Sequence, residues 1–263
     1  MKKLLLLAFM AIAIGIIIPS KVYAVDISVG ATTWYSWWDP VSTSGGSSVE
    51  IDPAFLYGPA LSVKFNDDFN LTFIFLYGEF DATMVADGDS SGGSTKVTSK
   101  RRDSDLALNY RLNNYFKLFG GIKYMGYKYS MDIFHSGYGW FNFKVDHSGF
   151  GPGLGISAAY PILDNLFFLA SISGIYLWGD EEEKLPWAKE KTEFKEYGMN
   201  SSVSIAYYIA PASTVISLGG RFQYYKTAYG DHSGEDGDPD DDPVDEKNKF
   251  YGITLTATYN FSI

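Results

Sequence analysis

Three histidines are the first place to look for chemistry in this chain: His135, His147 and His232. Two of them follow an acid, as Asp146-His147 and Asp231-His232. An acid–histidine couple can activate water when the carboxylate orients the imidazole. In an extended chain, however, neighbouring side chains point to opposite faces, so adjacency alone builds no dyad. Asp103 and Asp105 do share a face, as a water-positioning pair would, but so do many structural carboxylates. The chain has no Gly-x-Ser-x-Gly nucleophile motif and no zinc-ligand spacing. On these grounds the sequence reads as non-catalytic and calls for no cofactor.

A second chemistry is suggested by the stretch GDHSGEDGDPDDDPVDEKN. Asp236, Asp238 and Asp240 are spaced like the first ligands of a calcium loop. Asp241 then stands where that loop requires glycine, and Lys247 where it requires the closing glutamate. The stretch reads instead as a solvated loop kept open by self-repulsion, with loose divalent-cation binding as its possible chemistry.

The elements that would carry these residues are read from the rest of the chain. Lys2 and Lys3 precede an apolar run over residues 4–18, and Val22-Tyr23-Ala24 suits cleavage by signal peptidase after Ala24. The run is shorter than the ~20 residues that a membrane helix needs. Residues 1–24 are therefore expected to be a cleaved leader and residues 25–263 one exported domain. Removing the leader's three lysines takes Lys+Arg from 21 to 18 against 31 Asp+Glu, a net charge of −13. That sign disfavours nucleic acid as a partner. No cysteine is present, which excludes disulfides, thiolate sites and lipid attachment to a thiol.

After residue 24 no apolar run is long enough to cross a membrane as a helix, yet the chain holds 20 Tyr, 19 Phe, 6 Trp and 27 Gly. Ten segments alternate with period two: residues 26–38, 54–65, 70–80, 103–112, 115–129, 148–160, 166–178, 196–209, 214–226 and 250–263. The last sets Tyr251, Ile253, Leu255, Ala257, Tyr259 and Phe261 against Gly252, Thr254, Thr256, Thr258, Asn260 and Ser262. Each is long enough for a tilted membrane strand of ~9–11 residues, and longer than the ~5–6 of an average soluble strand. Four connections are short and rich in turn formers, at Asn66-Asp67-Asp68, Asn113-Asn114, Leu163-Asp164-Asn165 and Pro211-Ala212-Ser213. Five are long: residues 39–52, 81–102, 130–146, 179–195 and 227–249.

A sheet crosses lipid only if it closes, with its apolar face outward. The outward aromatics fall into two groups, Tyr35, Trp37, Tyr57 and Trp178 near the loop end, and Tyr110, Phe116, Tyr160 and Phe261 near the turn end. Two such girdles are expected at two membrane interfaces. On these features the chain resembles the small bacterial outer-membrane β-barrel proteins. The resemblance implies an all-β, antiparallel up-and-down barrel in a Gram-negative outer membrane, of ten strands, with eight or twelve as alternatives. It also implies short periplasmic turns, long extracellular loops, and contact with membrane lipid and outer-leaflet glycolipid. In that class the final strand helps the outer-membrane assembly machinery to recognise the chain; Tyr259 and Phe261 match this pattern, although the last residue is Ile263.

The polar positions expected to line the lumen are Lys64, Asp103, Asp105, Arg111, Lys117, Lys123, Glu196, Arg221 and Gln223. Gly149, Gly151, Gly153 and Gly155 make one wall thin, leaving either a groove for solute or room for Trp34, Phe119 or Tyr225. Narrow barrels are usually filled by side chains. The first functional expectation is a non-catalytic barrel that is structural or presents surface loops, and the alternative is a narrow porin-like channel for small solutes. Third comes a hydrolase, because the chain also resembles the ten-stranded outer-membrane proteases in strand number and in having acids toward the loop end. That family's site pairs two acids with an acid–histidine couple across the barrel mouth.

Overall fold

Alternation puts aromatic and β-branched side chains on one face of each segment, and such residues suit a pleated surface packed on one side. The computed structural model describes residues 25–41, 49–85, 94–135, 139–229 and 246–262. The expected leader (residues 1–24) and the acidic triplet Asp236, Asp238 and Asp240 lie outside the described residues.

Eleven strands follow one another: β1 (Asp26–Val41), β2 (Val49–Ile51), β3 (Ala54–Lys64), β4 (Phe69–Val85), β5 (Ser94–Arg111), β6 (Phe116–His135), β7 (Gly139–Leu163), β8 (Leu166–Lys184), β9 (Lys189–Ile209), β10 (Thr214–Tyr229) and β11 (Glu246–Ser262). All neighbouring strands are antiparallel. β2 pairs with β4 beyond the end of β3, and the Asp52 amide donates to the Asp81 carbonyl at 2.8 Å. β2 and β3 thus form one wall broken at Asp52-Pro53, and the wall count is ten. The sheet closes where β1 pairs β11, from Asp26 opposite Ser262 to Val41 opposite Lys247. Both ends of the described chain meet there on the turn side, where the Ser262 hydroxyl donates to Asp26 Oδ1 at 2.5 Å.

The short connections fold for identifiable local reasons. Asn66 Oδ1 accepts from the amides of Asp68 and Phe69 at 2.8 and 2.9 Å, and Asn113 Oδ1 does the same for Tyr115 and Phe116. These side-chain turns satisfy amides that the ladder has released. At the fourth turn a short 3-10 segment, Ala210–Ala212, ends in Ser213 with φ of 47°.

Outward residues of the lower strands form an apolar belt, with Phe55, Leu154, Val203, Leu218, Ile253 and Leu255 all exposed on the outer wall. Aromatics border it on both sides. Trp37 stacks on Tyr251 (5.9 Å) and Phe150 meets Trp178 edge-on (5.4 Å) above; Tyr115 packs on Tyr160 (5.7 Å) and Tyr259 on Phe261 (6.1 Å) below. Beyond the upper border the outward positions become charged and pair across strands. Lys100 reaches Glu79 at 3.4 Å, Lys191 reaches Asp180 at 3.0 Å, Lys189 reaches Glu182 at 2.8 Å, and Lys128 pairs with Asp146. This change from apolar to charged marks where lipid gives way to water.

The structure corrects the loop boundaries. Within residues 39–52, 81–102, 130–146, 179–195 and 227–249, read as long loops, most of the described residues are strand that continues the barrel upward; β7 alone runs 25 residues. At ~3.3 Å per residue, strands of this length stand well above a bilayer that ~9–11 tilted residues can cross. Above lipid the outward face turns charged while Val97, Val145 and Phe194 are buried inside, so the outward-apolar pattern is lost even though the ladder continues.

Closure depends on close backbone approach. A Cβ at Gly30 of β1 would lie 1.9 Å from the Ala257 carbonyl oxygen of β11. Gly30→Val should therefore cost ~3 kcal/mol or more at the closing seam and sharply reduce the heat-modifiable folded band on an unheated gel. Ser28→Val, two positions along the same face, should leave that band in place. Equal folding of the two variants would contradict this seam geometry.

Candidate functional site

The inward face of the sheet builds four successive layers along the barrel axis. The lowest is a cavity of about 450 Å³ at the turn end, where three of the expected lumen residues sit. Lys64 pairs with Asp67 at 2.9 Å and with Asp26 at 3.8 Å, and Arg111 reaches Asp68 at 3.6 Å. Lys117 lines the same cavity and forms no ion pair among the described residues.

Above it lies a second cavity of about 350 Å³, walled by hydroxyls and amides that include Thr32, Thr72, Asn109, Ser202 and Thr256. Its hydroxyls pair with each other, Thr32 with Thr256 at 2.7 Å and Ser171 with Ser202 at 2.8 Å. Asp105, Lys123 and Arg221 also line it. Going up β1 the inward residues run from Ser28 in the first cavity to Thr32 in the second, so the cavities are stacked.

The third layer is solid. Arg101, Asp103, Lys123 and Gln223 are all buried. Arg101 donates through Nε and Nη2 to the two oxygens of Asp103 (3.3 and 3.1 Å), and through Nη2 to Gln223 Oε1 (2.8 Å). Lys123 donates to Asp105 at 3.0 Å, and Arg221 Nη2 donates to the same carboxylate at 3.3 Å. The guanidinium carbon of Arg101 lies 3.5 Å over the Phe250 ring, and that of Arg221 lies 4.9 Å from the Trp34 ring centre. Leu56, Leu76, Phe80, Leu177 and Tyr225 fill the space around these groups. A cation this deep stays charged only when carboxylates and aromatic faces replace its water.

The top layer stands above the upper aromatic border. His147 is buried between Tyr127 and Phe194, with ring centres 4.2 and 3.8 Å away and planes within 7° and 14°. Its Nδ1 lies 2.8 Å from Glu181 Oε2, and its Nε2 lies 3.6 Å from Glu196, an ion-pair contact rather than a full hydrogen bond. Thr227 donates to Glu196 at 2.9 Å and Tyr229 to Glu181 at 3.2 Å. Burial works against the charge on His147, but the hydrogen bond to Glu181 and the field of both carboxylates prevail, raising the imidazole from 6.5 to about 9. Glu246 is raised by its own burial and by the nearby Glu181. Burial also raises the Tyr229 phenol, with Glu246 and Glu181 adding to it.

Several sequence expectations are thus relocated. Asp103, Lys123 and Gln223 join in one buried layer, with Asp105 and Arg221 on its underside. Lys64, Arg111 and Lys117 belong to the mouth below, and Glu196 to the histidine layer above. The glycine wall leaves no groove at Gly155, where a Cβ would come 2.4 Å from Phe119 Cζ, or at Gly149, where Phe194 lies 3.1 Å away. Phe119 fills that room from the adjacent strand, in register with Gly155, while Trp34 and Tyr225 pack in the solid layer. The sequence reading missed Arg101, Glu181 and Tyr229, all of them assigned to loops. The available signal was the ladder itself, because stepping back by two from Asp103 gives Arg101 and then Ser99, both inward and buried.

These features define a closed ten-walled membrane barrel with a hollow lower half and a packed upper half. No protein-family model and no curated protein matches the chain. Among solved structures it is similar to the outer membrane protease OmpT from Escherichia coli, at 12% identity and a TM-score of 0.56, covering 92% of this chain and 99% of that one. It is also similar to a major outer membrane protein from Thermus thermophilus (15% identity, TM-score 0.41, 91% and 100% covered) and to OprG from Pseudomonas aeruginosa (11%, 0.36, 92% and 97%). The OmpT likeness extends over almost the whole of both chains. The chain has the fold of the small outer-membrane β-barrel proteins.

The histidine layer gives a signed pH dependence. His147 titrates higher folded (about 9) than free (6.5), so its stabilisation is complete below pH 6.5 and is lost as pH rises through 9. The full span is worth at most about 3 kcal/mol. Thermal unfolding between pH 6 and 10 should show this decline in the parent protein, and His147→Gln should flatten it. An identical pH profile in the two proteins would contradict the assignment.

Proposed function

We propose that this chain is a non-conducting, non-catalytic integral outer-membrane protein that holds a rigid, sheet-built collar outside the bilayer and presents its connecting loops there. The observation that carries this reading is the buried layer of Arg101, Asp103, Lys123 and Gln223, packed against Trp34, Phe250 and Tyr225. A continuous water path would have to pass through it. The extension of strands such as β7 and β9 above the upper aromatic border supports the collar. The outer wall supports acyl-chain contact along the belt and glycolipid contact where paired charges begin. The ordered final strand, with Tyr259 and Phe261 outward near its end, is the surface through which assembly machinery would take up the chain.

Two other readings are weaker. The protease activity named for the Escherichia coli neighbour needs an accessible base. His147, however, is enclosed by two aromatic rings, and Asp103 is committed to Arg101 and Lys123. A narrow channel is favoured by the two stacked cavities, which hollow the lower lumen as far as Arg221. Planar-bilayer recording separates the readings. The parent protein should give no conductance steps, and Trp34→Ala combined with Phe250→Ala should produce them by thinning the packed layer. Steady, salt-dependent steps from the parent protein would replace this reading with the channel.

A further inference from the structure

The hydroxyl-walled cavity encloses about 350 Å³, within the ~300–1,000 Å³ of small-molecule sites. Small residues keep it open where a narrow barrel is ordinarily filled: Ser157, Ser173, Ser204, Ser217 and Gly153 all line it. Its roof presents two charged groups side by side. Arg221 Nη2 donates to Asp105 Oδ2 at 3.3 Å, and the two side chains are 14% and 30% exposed in the cavity that both line. Lys123, which also donates to Asp105, is covered, with 2% of its side chain exposed. The accessible roof is therefore one guanidinium beside one carboxylate, without net charge. Among the described residues, no buried polar atom lacking a partner belongs to a side chain that lines this cavity. The polar groups here are thus bonded or open to the space. In the pairs Thr32–Thr256 and Ser171–Ser202 one hydroxyl donates to the other, which leaves the second hydroxyl's proton for a guest.

One row of residues in direct register joins the mouth to the roof. Lys117 on β6 lies opposite Ser157 on β7, Ser157 opposite Ser171 on β8, Ser171 opposite Ser202 on β9, and Ser202 opposite Arg221 on β10. Lys117 lines the mouth cavity, and the other four line the upper one. Strands of a closed barrel are tilted and stand ~4.8 Å apart, so the row climbs with a polar side chain at each step. The two spaces also adjoin at β4 and β5, where Asn109 of the upper cavity donates to the carbonyl of Asn70 at the mouth at 3.2 Å.

We infer that this cavity binds one small, neutral, polyhydroxylated solute of monosaccharide size, which enters from the turn end. A hydroxyl both donates and accepts, so neighbouring hydroxyls of one solute can accept from Arg221 and donate to Asp105 without adding charge. A solute carboxylate would meet Asp105, and a solute ammonium would bring a third cation to a carboxylate already engaged by Lys123 and Arg221. Half-buried Phe119, with Ile74 and Ile175, offers apolar contact to the C–H groups of such a solute. Water can satisfy the hydroxyl wall but gains nothing at those apolar faces, and one solute displaces several waters at once. The site does not depend on the barrel being non-conducting, because the roof is a binding surface in either case.

The test uses the full folded barrel in an amine-oxide detergent, since the sugar headgroups of glycoside detergents would compete. Calorimetric titration of the parent protein with D-glucose or myo-inositol should give a saturable heat, and gluconate should bind at least tenfold more weakly, a difference of ~1.4 kcal/mol. Ser217→Leu fills the cavity from its wall and should abolish that heat while keeping the heat-modifiable folded band. If it does not fold, Lys117→Cys, the sole thiol in a chain without native cysteine, tests the same site from the mouth. Unlabelled, it should bind as the parent does; carrying a bulky maleimide, it should lose the heat. No saturable heat with either neutral solute overturns the site, as does a preference for gluconate or unchanged binding in folded Ser217→Leu or in the labelled protein. Solute flux through the parent barrel in liposomes would sink the non-conducting reading and leave the binding result in place.

Discussion

A backbone amide in hydrocarbon has no water to turn to, so every strand that crosses lipid must have a partner on each side. The pairing of β1 with β11 meets that requirement, because it converts an open sheet into one without edges. The sidedness of the molecule follows from it. Once the sheet is closed, Phe55, Leu154, Leu218 and Leu255 can face acyl chains, and Thr32, Thr256 and Ser202 can face each other. The small inward residues also let strands approach closely, as Gly30 does against Ala257.

The enclosed space is put to two different uses. Below, short hydroxyl and amide side chains leave cavities, and charges pair at the mouth where water screens them. Above, long side chains from facing walls meet, and a narrow cylinder has room for them only as a packed layer. Charged residues can serve there because each is multiply engaged. Arg101 has a carboxylate, an amide and an aromatic face, and Lys123 lies between two aspartates. Such a layer is rigid, because removing one member leaves its partners buried and unpaired. The histidine layer repeats the device outside the bilayer with the opposite sign of excess, acids around one imidazolium.

Much of this was legible in the sequence. Period-two alternation gave the outward and inward faces of Tyr251 to Phe261 and of Leu106 to Arg111, and Asn66 and Asn113 marked their turns. These signals are local and survive without tertiary information. Two things were not legible. Above the lipid the outward positions are charged and the outward-apolar pattern ends, so Arg101, Glu181 and Lys191 read as loop although the ladder runs through them. Convergence across the barrel is also invisible in one dimension, for Arg101 and Gln223 are 122 positions apart and meet only because closure brings β5 and β10 to face each other. The adjacent pair Asp146-His147 misled in the way period two dictates: Asp146 turns outward to Lys128, while His147 turns inward to glutamates from β8 and β9.

The central claim is sidedness, with apolar side chains against lipid and polar ones enclosed. The absence of native cysteine makes it directly measurable. Single cysteines placed in turn at Ile253, Thr254, Leu255 and Thr256 can carry a nitroxide label in reconstituted bilayers. Collision with oxygen, which concentrates in lipid, should dominate at 253 and 255, and collision with a water-soluble nickel complex should not. Positions 254 and 256 should be low in oxygen contact. Equal accessibility at odd and even positions, or water contact at 253 and 255, would contradict the account.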